Sequence, residues 1–513
     1  MNANLLLDNV FGIQRPSGER QSLSLPALLQ ALGQGEVESF TGVQRHQADA
    51  FHIFLCYLAG AVLDWEGESS PVQDEAFWLD GLRRLTGRDD DDAWTLVVED
   101  PTRPAFMQPP LPSVEFLSTF SGKYITPDGI DILQLAKNHD RKGARGSSSP
   151  AEAWVYALIT MQSMSGYLGG KREVARMNTG SGSRVCVETI RTFQVSDRWG
   201  QDVGRLPGYI ENLLSPRKPY RRGGHLLLWT LPWDGETSLA IDSLHPFFIE
   251  VARLARLQFE KNSVTALDRR TSVSRIEAKA LKGNVGDPWI PIHAEKSSAL
   301  TVAERGFTAQ LLRDLILGTG KYVPASMQSL DRDEREAWFH ASVLVRGQGT
   351  TDGYHEARVY IAPKAKKLLL QRGDARDRLG KLSDWALTRA RDVRSKALRP
   401  ALFALVEGGP EQWPDTNRRE AGHWVDSWLA RYDQHWATGY FPWLWQTVDQ
   451  TDEAARTGWL AELQKLAMGV LEDALQTAPQ RTGRRYRGKV RATGLFHSAL
   501  RRHFSEEMSD VAG

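Results

Sequence analysis

The chain has 513 residues, 41% of them hydrophobic, and 64 Lys+Arg against 63 Asp+Glu leave a formal charge of +1. That length exceeds what one compact core usually holds, so two or three domains are expected. The balanced charge excludes a uniformly basic nucleic-acid binder, so any such role must reside in local basic segments.

Two cysteines, Cys56 and Cys186, are too few for a disulfide framework or a four-cysteine zinc site, and read as buried small hydrophobes in a reducing, cytoplasmic setting. The opening residues carry Asp8 and no basic stretch, so no secretory signal is expected. The longest apolar run, Phe51 to Leu63, is 13 residues, too short for a bilayer.

In chain order, Leu5 to Val10 followed by Arg15-Pro16-Ser17-Gly18-Glu19-Arg20 reads as strand, Pro/Gly turn, strand. His46 to Leu63 is apolar almost all round and predicts a fully buried helix. Asp89-Asp90-Asp91-Asp92 reads as a solvated turn, because four consecutive acids cannot converge on one ion. Lys137 to Ser149, basic and Gly/Ser-rich, has no apolar period and predicts a long loop. Pro150 then opens an apolar helix through Trp154, Leu158 and Met161, which stops at Ser165-Gly166-Tyr167-Leu168-Gly169-Gly170. Ser342 to Val345 and Ala357 to Ile361 alternate as strands around Gly347 to Gly353, a hairpin.

Beyond about Ala365 the pattern turns helical. Ala386, Ala390, Val393, Ala397, Ala401 and Leu405 hold helical spacing, as do Trp424, Trp428 and Tyr432, then Leu460, Leu463, Ala467, Val470 and Ala474. A last helix is expected to bury Val490, Leu495, Ala499 and Phe504, with Gly408-Gly409-Pro410 and Thr482-Gly483 as breakers. The expected class is α+β: a mixed α/β N-terminal domain with several small sheets over residues 1–364, then a C-terminal four-helix bundle over 365–513.

Catalytic constellations are weak. Gly166 to Lys171 is one residue short of a phosphate loop, carries Arg172 where the metal-binding hydroxyl belongs, and follows a helix. Gly180-Ser181-Gly182-Ser183 lacks the spacing of a nucleophile elbow. In Tyr354-His355-Glu356 strand neighbours point to opposite faces and make no dyad. No enzyme, cofactor or metal site is expected.

Basic residues do gather. Arg481 to His503 holds Arg481, Arg484, Arg485, Arg487, Lys489, Arg491, Arg501 and Arg502 with no acid. Arg217 to Arg222, the Arg269-Arg270-Arg275-Lys279-Lys282 series and the loop with Lys137, Arg141, Lys142 and Arg145 add to this. Such stretches suit sequence-blind contact with phosphates. Glycine-rich tips permit the close backbone approach that minor-groove contact needs.

Five features in order resemble the large-subunit family of the type I-E CRISPR surveillance complex, Cascade. They are Leu6-Leu7-Asp8-Asn9 with Val10 to Pro16, Pro104-Ala105-Phe106-Met107-Gln108, Gly166 to Lys171, Arg346 to Glu356, and the C-terminal helices. The resemblance implies a non-catalytic subunit that reads the protospacer-adjacent motif in duplex DNA, promotes strand separation and R-loop formation, and recruits a helicase-nuclease. Its partners would be guide RNA, the other Cascade subunits, target duplex and displaced strand, with no membrane. Gly166, Tyr167, Gly169, Gly170 and Lys171 would form the groove-facing glycine loop. Gln348, Gly349, Thr350, Thr351 and Asp352 would form the wedge, and Lys282, with Lys279 second, the lysine finger. Lys137, Asn138, Arg141, Lys142 and Arg145 would lie on the long loop, and Arg481, Arg484, Arg485, Arg487, Lys489 and Arg491 on the bundle's basic tract. The competing classes are a purely structural ribonucleoprotein scaffold and a nucleotide-dependent enzyme.

Overall fold

A computed structural model describes residues 3–131, 149–164, 174–178, 184–215, 218–260, 263–333, 335–346, 351–371, 374–407, 419–478 and 482–509. The chain divides into two units. The first comprises Met1–Phe307, Gly320–Asp331 and Ala337–Arg358; the second comprises Thr308–Thr319, Arg332–Glu336 and Val359–Gly513.

The first unit is built around the helix Ala48–Glu66, buried from Asp49 to Leu63 and closed by Gly67 in the left-handed region at φ 71°. Among the described helices it is the one long and apolar enough to cross a membrane, but its apolar surface is covered by protein. Phe51 meets Phe11, Phe40 and Tyr156, while Phe54 joins Phe106 and Trp229. The helix Glu75–Thr86, capped by Asp74, packs against it through Gly81. A Cβ there would lie 2.3 Å from Val62 Cγ1, so only glycine permits the approach. The helices Leu25–Gly33, Ala151–Ser163 and Val195–Leu213 complete the shell.

Small sheets decorate this core. Phe11–Gln14 pairs antiparallel with Arg20–Leu23 across the expected turn, with Gly18 at φ 86°. The first strand is therefore Phe11–Gln14 and not the expected Leu5–Val10. Residues 5–8 turn instead, because Asn4 Oδ1 takes the Leu6 amide at 2.9 Å and sends both neighbouring leucines in different directions, Leu6 buried and Leu7 59% exposed. Leu254–Glu260 pairs with Ser263–Arg269, and Gly122–Tyr124 adds an edge. Cys186–Ile190 pairs antiparallel with Ala337–Arg346, whose other neighbour is Thr351–Ile361.

The second unit holds four long helical stretches: 374–407, Arg419–Gln446, Asp452–Gln476 and Thr482–Ser509. The first winds through a π-helical turn at Val393–Leu398, since Pro400 has no amide hydrogen for the Lys396 carbonyl. Every residue of the expected stripe Ala386, Ala390, Val393, Ala397, Ala401 and Leu405 is buried, as are Leu460, Leu463, Ala467, Val470 and Ala474. Trp443 and Trp459 stack with centroids 4.6 Å apart. The α+β class with a C-terminal helical bundle is thus observed.

The last helix corrects two expectations. Its buried stripe is Ala492, Phe496, Leu500 and Phe504, whereas Val490 is 58% exposed. Thr482 and Gly483 open the helix rather than breaking the chain.

Candidate nucleic-acid interface

Several expected site residues lie outside the described residues: Gly166, Tyr167, Gly169, Gly170 and Lys171; Lys137, Asn138, Arg141, Lys142 and Arg145; Gln348, Gly349 and Thr350; and Arg481. Arg184 donates its amide to the Met164 carbonyl at 3.3 Å, so the chain that leaves at Met164 returns beside it.

Two arginines from that returning stretch, Arg176 and Arg184, converge on Asp287, and all three are buried. Arg176 Nε stands 3.3 Å from Asp287 Oδ2, and its guanidinium lies 3.6 Å above the Phe248 ring. Arg184 pairs with the same oxygen and reaches the Tyr57 hydroxyl at 3.3 Å. Burial disfavours the Arg184 charge, yet Asp287 overcomes it and the pKa is raised. Glu250, whose carboxyl burial pushes upward, accepts the Ala175 amide at 2.5 Å. Asp287 is held in turn by the Trp289 amide at 2.9 Å.

Five residues before Asp287 stands the lysine turn. Lys279–Leu281 makes one 3-10 turn and Lys282 closes it at φ 50°. Gly283 follows at φ 80°, and a Cβ on it would come within 2.6 Å of the Met177 carbonyl carbon and 2.8 Å of the Asn178 nitrogen. The turn therefore lies directly on the backbone of residues 174–178, an approach only glycine allows. Lys279 and Lys282 are both exposed. The structure thus brings the two lysine candidates against the segment that begins three residues beyond Lys171. Sequence reasoning missed Arg176, Arg184, Glu250 and Asp287; lone charges in apolar surroundings, as in Val174-Ala175-Arg176-Met177, were the available signal.

The hairpin is longer than expected, with strands at Ala337–Arg346 and Thr351–Ile361. Thr351 and Asp352 are therefore strand residues rather than tip residues, because pairing extends the alternation to the ends of both runs. A buried polar network roots the hairpin. Arg198 Nη2 lies 2.7 Å from both Asp49 Oδ1 and Glu188 Oε1. Tyr354 donates to Asp49 Oδ2 at 3.0 Å, and Ser342 donates to the same oxygen. His340 bridges Glu188 at 2.7 Å and Glu356 at 3.2 Å, and Glu356 also takes Arg45 and Arg358. Burial disfavours charge on His340, but its bonds to Glu188 and Glu356 prevail and raise its pKa to about 9. Burial likewise opposes the Glu356 charge, yet His340, Arg45 and Arg358 lower its pKa to about 2. Tyr354 and Glu356 face this network and His355 the other side, as strand alternation requires.

The basic tracts separate into structural and exposed groups. Arg275 is buried, hydrogen-bonded to the Pro232 and Leu231 carbonyls at 3.2 and 3.1 Å and placed over Trp233. Arg222 is paired with Asp64 and Glu211, and Tyr220 is buried with its hydroxyl on the Val285 carbonyl. Arg485 donates to the Gln476 carbonyl on the packed side of its helix. Lys489 is half-buried and close to that side, and Arg491 is half-buried on the opposite face. Among the described residues, Arg487, Arg501 and Arg502 project from the face opposite Ala492, Phe496 and Leu500 and are exposed. Replacing these three by Ala should flatten the log-affinity against log-salt slope for duplex DNA by about two to three, equally across sequences, in a salt titration of binding. An unchanged slope would exclude phosphate contact by this face.

The acidic run is no metal cluster: Asp90 pairs with Arg88 and Arg103, Asp91 with Arg83, and Asp92 with Arg103. Among the described residues, His52, Cys56 and Asp202 do converge, but inside the core. His52 Nε2 is 2.9 Å from Asp202 Oδ2, which also accepts Trp289 Nε1 at 3.1 Å. Burial lowers the His52 pKa to about 3, so the ring is neutral. Both cysteines are buried and free, with thiol pKa values pushed up by burial.

No family model matches the chain, and no curated protein matches it. Solved structures do. Cse1 from Acidimicrobium ferrooxidans superposes with a TM-score of 0.65 at 15% identity, over 99% of both chains. The chain has the Cse1 fold. CasA from Thermus thermophilus matches at TM-score 0.60 and 14% identity over 97% of this chain and 99% of its own. A chain of a CRISPR RNA-guided surveillance complex matches at 0.56 and 14%, over 96% and 99%. The Cse1 likeness thus spans both units, and with so few shared residues it is carried by architecture.

Proposed function

We propose that this chain is the large subunit of a type I-E Cascade complex, which recognises a short motif beside the protospacer in duplex DNA, opens the strands for R-loop formation and recruits the helicase-nuclease. The observation that supports this reading is the junction at Asp287 and Gly283, where the lysine turn rests on the Met177–Asn178 backbone. It occurs on a fold shared with Cse1 and CasA, and with a chain of an RNA-guided surveillance complex. In this function Gly166, Gly169 and Gly170 lie against the minor groove, whose base pattern is degenerate, and Lys282 or Lys279 reaches a base edge. The subunit acts in the cytoplasm, without catalysis or cofactor, beside guide RNA and the other Cascade subunits.

The test is a gel shift of a guide-loaded complex, with and without this chain, on duplexes that carry or lack the adjacent motif. Motif-dependent binding that requires the chain is the expected result. Equal binding without it would reduce the chain to a scaffold.

The hairpin tip supplies a finer expectation. Unstacking a base step costs a few kcal/mol, recovered when guide pairing follows at once. Replacing Gln348 and Thr350 together by Ala, with the strand residues Thr351 and Asp352 left in place, should slow R-loop formation on a fully paired target and have little effect on one mismatched beside the motif. Equal slowing on both substrates would make the tip a docking contact.

A further inference from the structure

The edge strand Gly122–Tyr124 and the end of its partner Ser263–Arg269 frame a cleft of about 330 Å³ in the first unit. Arg253, Arg269 and Arg270 line it, together with the hydroxyl-bearing Ser121 and Thr271 and with Tyr124, whose hydroxyl is bonded to Asp268. We propose that this cleft is a phosphate subsite for the backbone of the target duplex DNA. The proposal rests on the DNA-recognition function above and adds a contact separate from the glycine loop, the lysine turn and the C-terminal helix.

The charge arithmetic favours an anion. Three guanidinium groups face one carboxylate of the lining, Asp268. A second acid, Glu236, sits 3.6 Å from Arg269, but it is 67% exposed and screened by water. Counting both acids, the cations still exceed them by one. Guanidinium forks and hydroxyl donors are the groups that grip phosphodiester oxygens.

The cleft is also preorganised. Arg269 lies 4.3 Å over the Phe116 ring, which fixes its plane. The Arg253 amide donates to Gln162 Oε1 at 2.7 Å, and its carbonyl accepts Gln162 Nε2 at 3.0 Å, so its backbone is tied to the helix Ala151–Ser163. Asp268 lies over Gly122: its Oδ1 is 1.8 Å from where a Cβ of residue 122 would stand, so a larger residue there would push the carboxylate aside. Lys123 is turned away to Glu260, at 2.5 Å. Arg270 is exposed at the mouth.

Position points to the duplex as the source of the phosphate. Ala252 in the lining packs with Val174 and Met177, and Met177 is also the residue against which Gly283 rests. The cleft and the lysine turn therefore flank one short segment. A duplex whose groove faces that segment presents its phosphates to the side, where the arginines stand.

The test measures binding of the full chain to a short duplex lacking the motif, and to single-stranded RNA of equal length, across a salt series. Arg270→Ala should weaken duplex binding about three- to tenfold, and Arg269→Ala with Arg270→Ala should lower the salt slope by about two. Arg270→Lys should retain most of the slope, and Asp268→Asn should tighten binding. Unchanged duplex binding for the arginine variants, while the Arg487, Arg501 and Arg502 replacements still weaken it, overturns the subsite and leaves DNA recognition standing. Loss on RNA alone overturns the duplex as ligand. Weakening that tracks a fall in melting temperature makes the arginines structural and also overturns the subsite. If the unaltered chain in its guide-loaded complex shows no motif dependence, it is the DNA-recognition function that falls.

Discussion

Asp287→Ala should lower stability by about 3–5 kcal/mol, the usual consequence of removing one partner from a buried ion pair. Two guanidinium groups, Arg176 and Arg184, would remain buried with their shared counter-charge gone. The Trp289 amide would lose its acceptor as well. Because both arginines belong to the stretch that returns from the glycine-rich segment, motif-dependent binding should fall further than stability alone explains. Urea unfolding gives the first quantity and a gel shift of the assembled complex, at a temperature where the variant is folded, gives the second. Gly283→Val separates the two effects: it removes no charged group but drives a branched side chain into the Met177–Asn178 backbone at positive φ. It should displace the lysine turn and cost more than tenfold in motif-dependent binding. Full binding by a folded Gly283→Val protein would detach the lysine turn from recognition.

The hairpin root should make stability depend on pH through His340. Its folded pKa, raised to about 9 from 6.5, lies above the unfolded value. The contribution is therefore complete below pH 6.5 and is lost as pH rises through about 9. Glu356 has the opposite sign: lowered to about 2 from 4.5, it contributes fully above 4.5 and is lost as pH falls through about 2. The network is strongest between those limits. A shift of this size on His340 corresponds to roughly 3 kcal/mol. His340→Gln should cost about that much near pH 6, where Glu188, Glu356 and Asp49 face Arg198, Arg45 and Arg358 without the imidazolium, and the gap should close well above pH 9. The measurement is the urea midpoint of both proteins against pH. A gap that stays constant would mean that His340 acts through shape and not through charge.

Much of the fold was legible in local pattern. Helical spacing marked Ala386 to Leu405 and Leu460 to Ala474, and the near-continuous apolar run marked the central helix, because burial imposes a period that one sequence can display. Where the pattern was thin, register slipped. Val490 and Leu495 have the right chemistry for a core face, yet Ala492, Phe496 and Leu500 occupy it, since an arginine-rich helix leaves too few apolar residues to fix its own rotation. Leu5 to Val10 has strand composition, but the Asn4 side chain competes for the backbone and turns it.

The candidate interface divides in the same way. Acid-free charge in Arg481 to His503 is a property of the sequence, and so is the glycine content of Gly166 to Gly170, because composition and spacing are local. Which cations are available was decided by tertiary structure. Arg485 turns to a carbonyl, Arg275 is buried among carbonyls, and Arg222 is taken by two acids, whereas Arg487, Arg270 and Lys282 remain exposed. The pairings that matter most join residues far apart in the chain: Arg176 and Arg184 with Asp287, Asp49 with Arg198 and Tyr354, Glu188 with His340. A single sequence states its periodicity and its charge, since these depend on neighbours along the chain; it leaves open which buried charge meets which, since that depends on the three-dimensional packing that removes both partners from water.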